Sequence, residues 1–151
     1  MDLSWDEYFF LLVDSVALKS KDPETKVGCV IVGPDKEIRT TGYNSFPRGI
    51  RDNIIERMQR PEKYKWIEHS ERNAVYNAAR MGTSLKDCIS YQSWFPCSDC
   101  ARALINVGVR EIVIDYRDSN PWFQNNRWDE SMEVSKTMLD EAFVKIRKWR
   151  N

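Results

Sequence analysis

The chain has 151 residues, enough for one sizeable hydrophobic core but not comfortably for two. Its 23 lysines and arginines balance its 23 aspartates and glutamates, and a net charge of zero argues against a broad basic surface for nucleic acid. Hydrophobic residues make up 42% of the chain and aromatic residues 12%, which excludes the composition typical of disordered proteins. We therefore expect a single globular domain over residues 1–151.

The sequence predicts a soluble protein of the cytoplasm. No apolar run approaches the ~20 residues that a membrane helix requires, so we expect no membrane partner. The first seven residues are acidic and lack the basic start and apolar stretch of a secretory signal. There is one histidine, His69, and there are four cysteines, Cys29, Cys88, Cys97 and Cys100. In such a chain cysteines more often bind metal or remain free thiols than form disulfides.

The N-terminal part of the chain predicts a helix followed by two strands. Ser4 is a suitable N-cap with Glu7 as its capping-box partner, and apolar residues at helical spacing follow over 5–20. Residues 27–32 form a short β-branched run typical of a buried strand, and residues 37–43 form a second strand. Because only a short Gly-Pro-Asp-Lys turn joins the two strands, we expect them to be antiparallel.

The rest of the chain alternates loops, helices and strands. We predict a polar loop over 44–68, a helix over 70–81, a strand over 88–93, a helix over 98–107, a strand over 110–114, a polar and aromatic loop over 115–128, a helix over 129–142 and a strand over 144–149. Helices interleaved with strands predict an α/β fold, with a partly parallel sheet and helices on both faces. A loop as long as 44–68 is often functional. Within it, residues 53–66 have the pattern either of an amphipathic helix at a subunit contact or of a flap on the core.

Two short motifs at predicted helix starts carry the residues best suited to bind a metal. The first is His-Ser-Glu over 69–71, and the second is Pro-Cys-Ser-Asp-Cys over 96–100. Cysteines three residues apart on a helix present both thiols on one face, and a helix N-terminus lowers the pKa of a thiol. Two thiolates and an imidazole are ligands that Zn²⁺ prefers.

The number of metal donors favours an open site. His69, Cys97 and Cys100 make three protein ligands, and a catalytic zinc keeps its fourth position for water. Glu71 follows the histidine by two residues and is suited to act as a base beside that water.

Two other interpretations of the cysteines stay open. The Cys-x-x-Cys pair would also suit a redox site, and a further cysteine could close a structural zinc site. The candidates for that fourth ligand are Cys29, which lies among Val and Ile in a predicted strand, and Cys88, which heads another. Both positions also suit a small buried hydrophobic residue.

Four stretches of the sequence resemble the cytidine deaminase superfamily and, within it, the deoxycytidylate (dCMP) deaminases. They are Ser-Lys-Asp-Pro-Glu-Thr-Lys-Val-Gly over 20–28, Gly-Tyr-Asn-Ser-Phe-Pro-Arg-Gly over 42–49, His-Ser-Glu-Arg-Asn-Ala over 69–74 and Phe-Pro-Cys-Ser-Asp-Cys-Ala over 95–101. His-x-Glu followed by Pro-Cys-x-x-Cys is the signature of zinc-dependent nucleobase deaminases. The resemblance implies a three-layer α-β-α cytidine-deaminase-like fold with a five-stranded mixed sheet, and Zn²⁺ as cofactor. The chain departs from the family at Ser70, where Ala is usual, and at Ser45, where Gly is usual.

The same resemblance implies an activity, the hydrolytic deamination of dCMP to dUMP and ammonia, which supplies the precursor of dTMP. Glu71 would carry protons from water to N3 of cytosine and then to the departing amine. The implied base and sugar contacts are Asn44 to the deoxyribose, the carbonyl of Phe95 to the exocyclic amine, and Trp94 (or Phe46 or Phe123) against the base. The candidate donors to a phosphate, of the substrate or of an allosteric nucleotide, are Lys26, Arg48, Tyr116 and Arg117.

Partners and rival functions follow from the resemblance as well. Family members are commonly homo-oligomers, often hexamers, with dCTP as activator and dTTP as inhibitor, and the loop that holds Ser45 is associated with that regulation. Rival functions within the enzyme class are deamination of dCTP or cytidine, and of cytosine or adenine in a polynucleotide. The Ser-Trp-Phe-Pro-Cys segment over 93–97 resembles polynucleotide deaminases, whereas the zero net charge disfavours a nucleic-acid partner. A non-catalytic module with a structural zinc is the rival outside that class.

Overall fold

A computed structural model describes residues 2–116 and 129–150 of the chain. Its centre is a five-stranded sheet with the strand order β2-β1-β3-β4-β5. The strands are β1 (Gly28–Val32), β2 (Ile38–Tyr43), β3 (Ile89–Gln92), β4 (Glu111–Asp115) and β5 (Lys145–Trp149). Strand β1 runs antiparallel to both of its neighbours, and β3, β4 and β5 are parallel. The predicted mixed sheet and its antiparallel first pair are therefore confirmed.

Four α-helices and two short 3₁₀ helices complete the described part of the chain. The α-helices are α1 (Trp5–Ala17), α2 (Ser70–Met81), α3 (Ser98–Asn106) and α4 (Glu130–Glu141). The 3₁₀ helices, Ile55–Met58 and Glu62–Lys65, lie in the region predicted as an irregular loop. The predicted order of helices and strands is confirmed, while most of the loop predicted over 115–128 lies outside the described residues. None of the described helices is both long and apolar enough to cross a membrane.

Helix α1 covers one face of the sheet. Its capping box has both predicted hydrogen bonds, from the Glu7 amide to Ser4 Oγ and from the Ser4 amide to Glu7 Oε2. The apolar side of α1 packs on alternate residues of β1, β3 and β4: the buried members are Phe9, Phe10, Val13, Val30, Val32, Ile89, Tyr91 and Val113. The helix ends before the predicted residue 20, because Ser20 instead donates from Oγ to the carbonyl of Asn44, at 2.8 Å.

The remaining helices cover the opposite face, which confirms the three-layer α-β-α architecture. The strand residues that alternate with the first set face α2, α3 and α4: they include Cys29, Ile31, Ile112 and Ile114, with Ala74, Ala78, Leu104 and Leu139 from the helices. Strand β1 is buried on both faces, as its unbroken apolar sequence predicts.

The first helix and the last strand are joined by a polar and an aromatic contact. Asp6 accepts from Tyr91 Oη at 2.9 Å and from Arg147 Nη2 at 3.0 Å. The ring of Phe10 stacks on that of Trp149, with the centroids 4.4 Å apart. These contacts hold α1 across β3 and β5 on the face opposite to α2 and α3.

The topology brings two loop ends to the same edge of the sheet. Because β1 is antiparallel to both neighbours, β2 and β3 point in the same direction, and their carboxyl ends lie together. The chain leaves β2 after Tyr43 and reaches α2 at Ser70, and it leaves β3 after Gln92 and reaches α3 at Ser98. The starts of α2 and α3 therefore meet at this edge, where open α/β sheets characteristically bind ligands.

Candidate active site and metal centre

Three metal-ligating side chains converge where α2 and α3 begin. His69 Nδ1 lies 3.5 Å from Cys97 Sγ and 3.5 Å from Cys100 Sγ. Zn²⁺ binds sulfur at about 2.3 Å and imidazole nitrogen at about 2.0–2.1 Å, so a tetrahedral site separates the two donor atoms by about 3.6 Å. The spacing and the chemistry of these donors therefore fit Zn²⁺.

The two helix N-termini position this cluster. His69 is the N-cap residue of α2 and Cys97 is the N-cap residue of α3, each with extended backbone. Cys100 lies in the first turn of α3, so its thiol faces the same way as that of Cys97. The partial positive charge at each helix start favours anionic ligands such as thiolates.

Even without metal, hydrogen bonds within the cluster shift the pKa values of its side chains. Hydrogen bonding with Cys100 and with His69 lowers the pKa of the Cys97 thiol to about 4. The hydrogen bond between the two cysteines, together with burial, raises the pKa of Cys100 well above its ordinary value. The Cys97 thiolate in turn raises the pKa of His69. The lowered pKa of Cys97 favours the thiolate, which is the form that binds zinc.

Helix α2 reaches this position because it lies unusually close to β2. A Cβ at Gly42 would overlap the carbonyl oxygen of Ser70 and the backbone nitrogen of Ala74. Two α2 side chains also satisfy carbonyls of the edge strand: Asn73 Nδ2 donates to Tyr43 and Asn77 Nδ2 donates to Thr41, both at 2.8 Å. The glycine thus permits the approach, and the asparagines fix the register of the helix that carries the histidine.

The Glu71 carboxylate contacts a thiol of this cluster. Its side chain is only 6% exposed, and Oε2 accepts from Cys100 Sγ at 3.0 Å. Burial raises the pKa of the Glu71 carboxyl, because ionisation in the protein interior is costly. A carboxyl group with a raised pKa, at hydrogen-bond distance from a metal ligand, is suited to accept and release a proton near neutral pH.

Ser70, between the histidine and the glutamate, is fully buried. Its Oγ has no hydrogen-bond partner among the residues that the structure describes. This is the position at which the family usually has alanine.

A cavity of about 370 Å³ opens onto the cluster. Six of the residues predicted from sequence line it, namely Asn44, His69, Glu71, Trp94, Phe95 and Cys97. The remaining described wall is formed by Asp22, Thr25, Val27, Arg60, Lys63, Tyr64, Ile67, Asp129, Ser131 and Met132. The volume is in the range that small-molecule sites occupy.

Asn44 both lines the cavity and holds the strand end beneath it. Its Oδ1 accepts from the Val27 amide at 3.0 Å, and its Nδ2 donates to the Thr25 carbonyl at 2.8 Å. Each end of the amide keeps further bonding capacity, because a primary amide offers two N–H donors and two lone pairs. Asn44 is therefore fixed in orientation while still able to bind a ligand group.

The predicted phosphate donors are not brought together at this cavity. Lys26 is exposed and donates to the Ser20 carbonyl, and Arg48 lines a second cavity of about 500 Å³ together with Phe46. Tyr116 is half-buried against the core and beneath Lys148, whose Nζ lies 4.7 Å from the ring centroid. Arg117 and Phe123 lie outside the described residues.

The cavity instead receives cationic side chains that sequence reasoning missed. Arg60 and Lys63 lie in the 53–66 segment, which lines the cavity as a flap. Lys63 is 4% exposed and forms an ion pair with Asp22 at 3.0 Å. The segment carries one weak signal, an apolar and aromatic pattern interrupted by charges. No motif marks which of the charges turn inward.

The two other cysteines lie away from the metal cluster. Cys29 Sγ pairs with Ser90 Oγ at 3.3 Å, and Cys88 Sγ donates to the Lys86 carbonyl at 3.7 Å. Within 2–116 and 129–150, the groups able to hold a metal are limited to His69, Cys97 and Cys100. Neither cysteine is positioned as a fourth ligand, which leaves the site open.

The comparisons with known proteins agree with this geometry. The protein-family sequence model described as the cytidine and deoxycytidylate deaminase zinc-binding region matches residues 3–116. A probable deoxycytidylate deaminase of Caenorhabditis elegans is 38% identical over 144 residues, which is 93% of this chain and 68% of that protein. The deoxycytidylate deaminase of Homo sapiens is 31% identical over 154 residues, covering 97% of this chain and 80% of that protein.

Solved structures show the same fold. The dCMP deaminase of cyanophage S-TIM5, in complex with dCMP and dUMP, matches with a TM-score of 0.74 at 19% identity, and covers 99% of both chains. The fold and the three-donor cluster define a zinc-binding deaminase scaffold. This chain belongs to the cytidine and deoxycytidylate deaminase family.

Proposed function

We propose that the chain is a single zinc-dependent nucleotide deaminase domain that hydrolyses dCMP to dUMP and ammonia. The observation that carries the proposal is the buried Glu71 carboxyl beside three converging metal donors, at the base of a cavity of about 370 Å³. We infer the substrate from the two relatives described above, which bear the names probable deoxycytidylate deaminase and deoxycytidylate deaminase.

His69, Cys97 and Cys100 would hold the zinc, with Glu71 left free of the metal. When bound there, zinc would lower the pKa of a water molecule and so make a hydroxide nucleophile available for C4 of cytosine. Glu71 accepts a proton at Oε2 and delivers it to N3 of the base. It then accepts the proton of the new C4 hydroxyl and passes it to the amine. The C4–N4 bond breaks, ammonia leaves and the C4 carbonyl of the product forms, so one carboxyl group serves both transfers. The raised pKa of Glu71 suits this double role.

The cavity wall supplies groups that orient the base and the sugar. Asn44 offers its remaining amide capacity to the deoxyribose hydroxyl. Phe95 offers its backbone carbonyl to the exocyclic amine, and Trp94 offers an aromatic face to the base. These assignments follow the family resemblance and are supported by the position of all three residues in the cavity wall.

The rival functions find less support. A closed structural zinc would need a fourth ligand, and neither Cys29 nor Cys88 lies at the cluster. A polynucleotide substrate would need a basic track along its backbone. Apart from His69, the cations that the described residues contribute to the cavity wall are Arg60 and Lys63, and two cations do not form such a track.

Regulation, assembly and location are part of the proposal. The second cavity, of about 500 Å³, is lined by Arg48, Lys21 and Ser45 among others, and would hold the activator dCTP or the inhibitor dTTP. Ser45 Oγ already accepts from Asn73 Nδ2 at 3.1 Å, so the serine is integrated into the wall. We expect a homo-oligomer, with a hexamer as the first form to test by light scattering. Four free thiols agree with a reducing cytoplasm.

The test is ammonia release by the zinc-loaded protein from dCMP, dCTP, deoxycytidine and a cytosine-containing single-stranded DNA. Turnover mainly on dCMP is the expected result. Turnover mainly on dCTP would keep the chemistry and refute the substrate. If none of the four compounds releases ammonia, even when dCTP is added as an activator, the proposed function is refuted.

A further inference from the structure

Three charged side chains of the cavity wall, Asp22, Arg60 and Lys63, form a cluster with the nearby Glu24. Arg60 Nη1 pairs with Glu24 Oε2 at 2.7 Å, and Lys63 Nζ pairs with Asp22 Oδ2 at 3.0 Å. Lys63 Nζ also lies 3.5 Å from Glu24 Oε2, which links the two pairs. Apart from His69 at the metal cluster, these are the cationic residues that the described part of the chain contributes to this cavity.

The two pairs differ in how firmly they are held. Asp22 accepts from the amides of Glu24 and Thr25 at 2.9 and 3.1 Å, and both Asp22 and Lys63 are buried, so this pair is fixed. The side chains of Arg60 and Glu24 are 40% and 47% exposed. An ion pair with that exposure contributes little to stability, so Arg60 can leave Glu24 at little cost.

Another part of the cavity wall is poorly suited to an anion. Asp129 adds a carboxylate there, and its Oδ1 already accepts from the Met132 amide at 3.1 Å. Ser131 Oγ accepts from the Ser98 amide at 2.9 Å and pairs with Ser98 Oγ at 3.1 Å. Among the described residues, the Asp129 carboxylate and the already bonded Ser131 hydroxyl make this part of the wall unfavourable for a phosphate.

We propose that Arg60 is the residue that binds the 5′-phosphate of the substrate and so selects nucleotides over nucleosides. The inference rests on the proposed deamination of dCMP and assigns the phosphate end of that same cavity. Arg60 exchanges Glu24 for a phosphate that carries nearly two negative charges. The planar guanidinium donates two parallel hydrogen bonds to phosphate oxygens, which are stronger than its exposed pair with a carboxylate.

Lys63 and Tyr64 support this exchange from the same wall. Lys63 Nζ holds Asp22 and lies near Glu24, so it neutralises both carboxylates when Arg60 moves to the phosphate. Tyr64 lines the cavity within one turn of Lys63 and offers a neutral hydroxyl donor. The phosphate therefore enters without leaving a buried carboxylate unpaired.

The experiment compares kcat/KM for dCMP and for deoxycytidine in the wild type, in Arg60→Gln and in Lys65→Gln. Lys65 is the matched control, because it loses the same charge in the same segment, its side chain is 75% exposed and it does not line the cavity. We expect Arg60→Gln to lose about 10- to 100-fold in kcat/KM for dCMP, mainly through KM. Its kcat/KM for deoxycytidine and both values for Lys65→Gln should stay within about twofold of the wild type.

Two results would overturn the proposal. One is an Arg60→Gln variant that keeps full selectivity for dCMP over deoxycytidine, and the other is a variant that loses both substrates equally. Binding measured by calorimetry in a Glu71→Gln background separates this inference from the proposed function. Weaker binding of dCMP but not of deoxycytidine after Arg60→Gln supports the phosphate assignment even if the wild type proves inactive, and equal binding refutes it.

Discussion

Replacing Glu71 by glutamine removes the proton carrier with almost no change in shape. The glutamine side chain has the same size, and its amide N–H can hydrogen-bond to the Cys100 sulfur, which lies 3.0 Å from the Glu71 carboxylate, so the metal cluster should keep its geometry. A positioned general acid–base group is worth about 10²–10⁴-fold in rate. Because Glu71 serves two successive transfers, we expect the loss in kcat to lie at the upper end of that range.

The assay pairs steady-state ammonia release with zinc content by atomic absorption. Zinc should stay at the wild-type level in Glu71→Gln. The exposed Glu56→Gln is the control, and it should retain both zinc and activity. A Glu71→Gln protein with wild-type zinc and undiminished kcat would refute the role of Glu71.

In the zinc-free protein, replacing Glu71 by glutamine should stabilise the fold rather than impair the protein. Burial raises the pKa of Glu71 in the folded state, so this group contributes stability that is complete below its unfolded-state pKa. That contribution is lost as the pH rises through the folded-state pKa. Glu71→Gln should therefore be more stable than the wild type at pH 8, and the advantage should shrink towards pH 4. Urea unfolding at the two pH values measures the difference, and an equal advantage at both would contradict the assigned cause.

Three further predictions concern stability. Lys63→Met leaves the buried Asp22 carboxylate with backbone donors alone. We expect this to cost about 3–5 kcal/mol of stability and to lower Tm by about 10 °C. If calorimetry shows a loss of stability no larger than that of the exposed Lys65→Met, the prediction is wrong. Asp6→Asn weakens the bonds from Tyr91 and Arg147 and should cost about 1–3 kcal/mol at pH 7. Arg147 lowers the pKa of Asp6 below its ordinary value of 3.8. The stability that Asp6 contributes is therefore present above pH 3.8 and disappears as the pH falls through the folded-state pKa. If urea unfolding shows that Asp6→Asn is less stable than the wild type by the same amount down to pH 3, this explanation is wrong. Ser70→Ala removes a buried hydroxyl that lacks a partner among the described residues and should stabilise the protein by about 1 kcal/mol; a lower unfolding midpoint would show that the hydroxyl is satisfied.

Local signals in the sequence were sufficient where one residue determines the local structure. The end of α2 at Met81 was predicted because Gly82 adopts the left-handed conformation that closes a helix. The metal donors were predicted because spacing along a helix start dictates which thiols share a face. The end of α1 was wrong by three residues, because a long-range bond from Ser20 to Asn44 decides it.

The cavity wall was predictable only in part. Asn44, Trp94 and Phe95 were found by resemblance, and all three line the cavity. Arg60 and Lys63 were missed, because their segment lacks helical or strand periodicity and its course depends on tertiary contacts such as the pair with Asp22. Charged residues alone do not reveal which of them turn inward.

The contact between α1 and β5 has a consequence for the order of folding. Asp6 and Arg147 are separated by 141 residues, and Phe10 receives its stacking partner only from Trp149. A nascent chain that has not yet synthesised β5 therefore leaves the aromatic side of α1 partly uncovered, and closing this contact carries the entropy of a long loop. We expect synthesis of β5, which follows that of the metal ligands, to be the step that completes this side of the core.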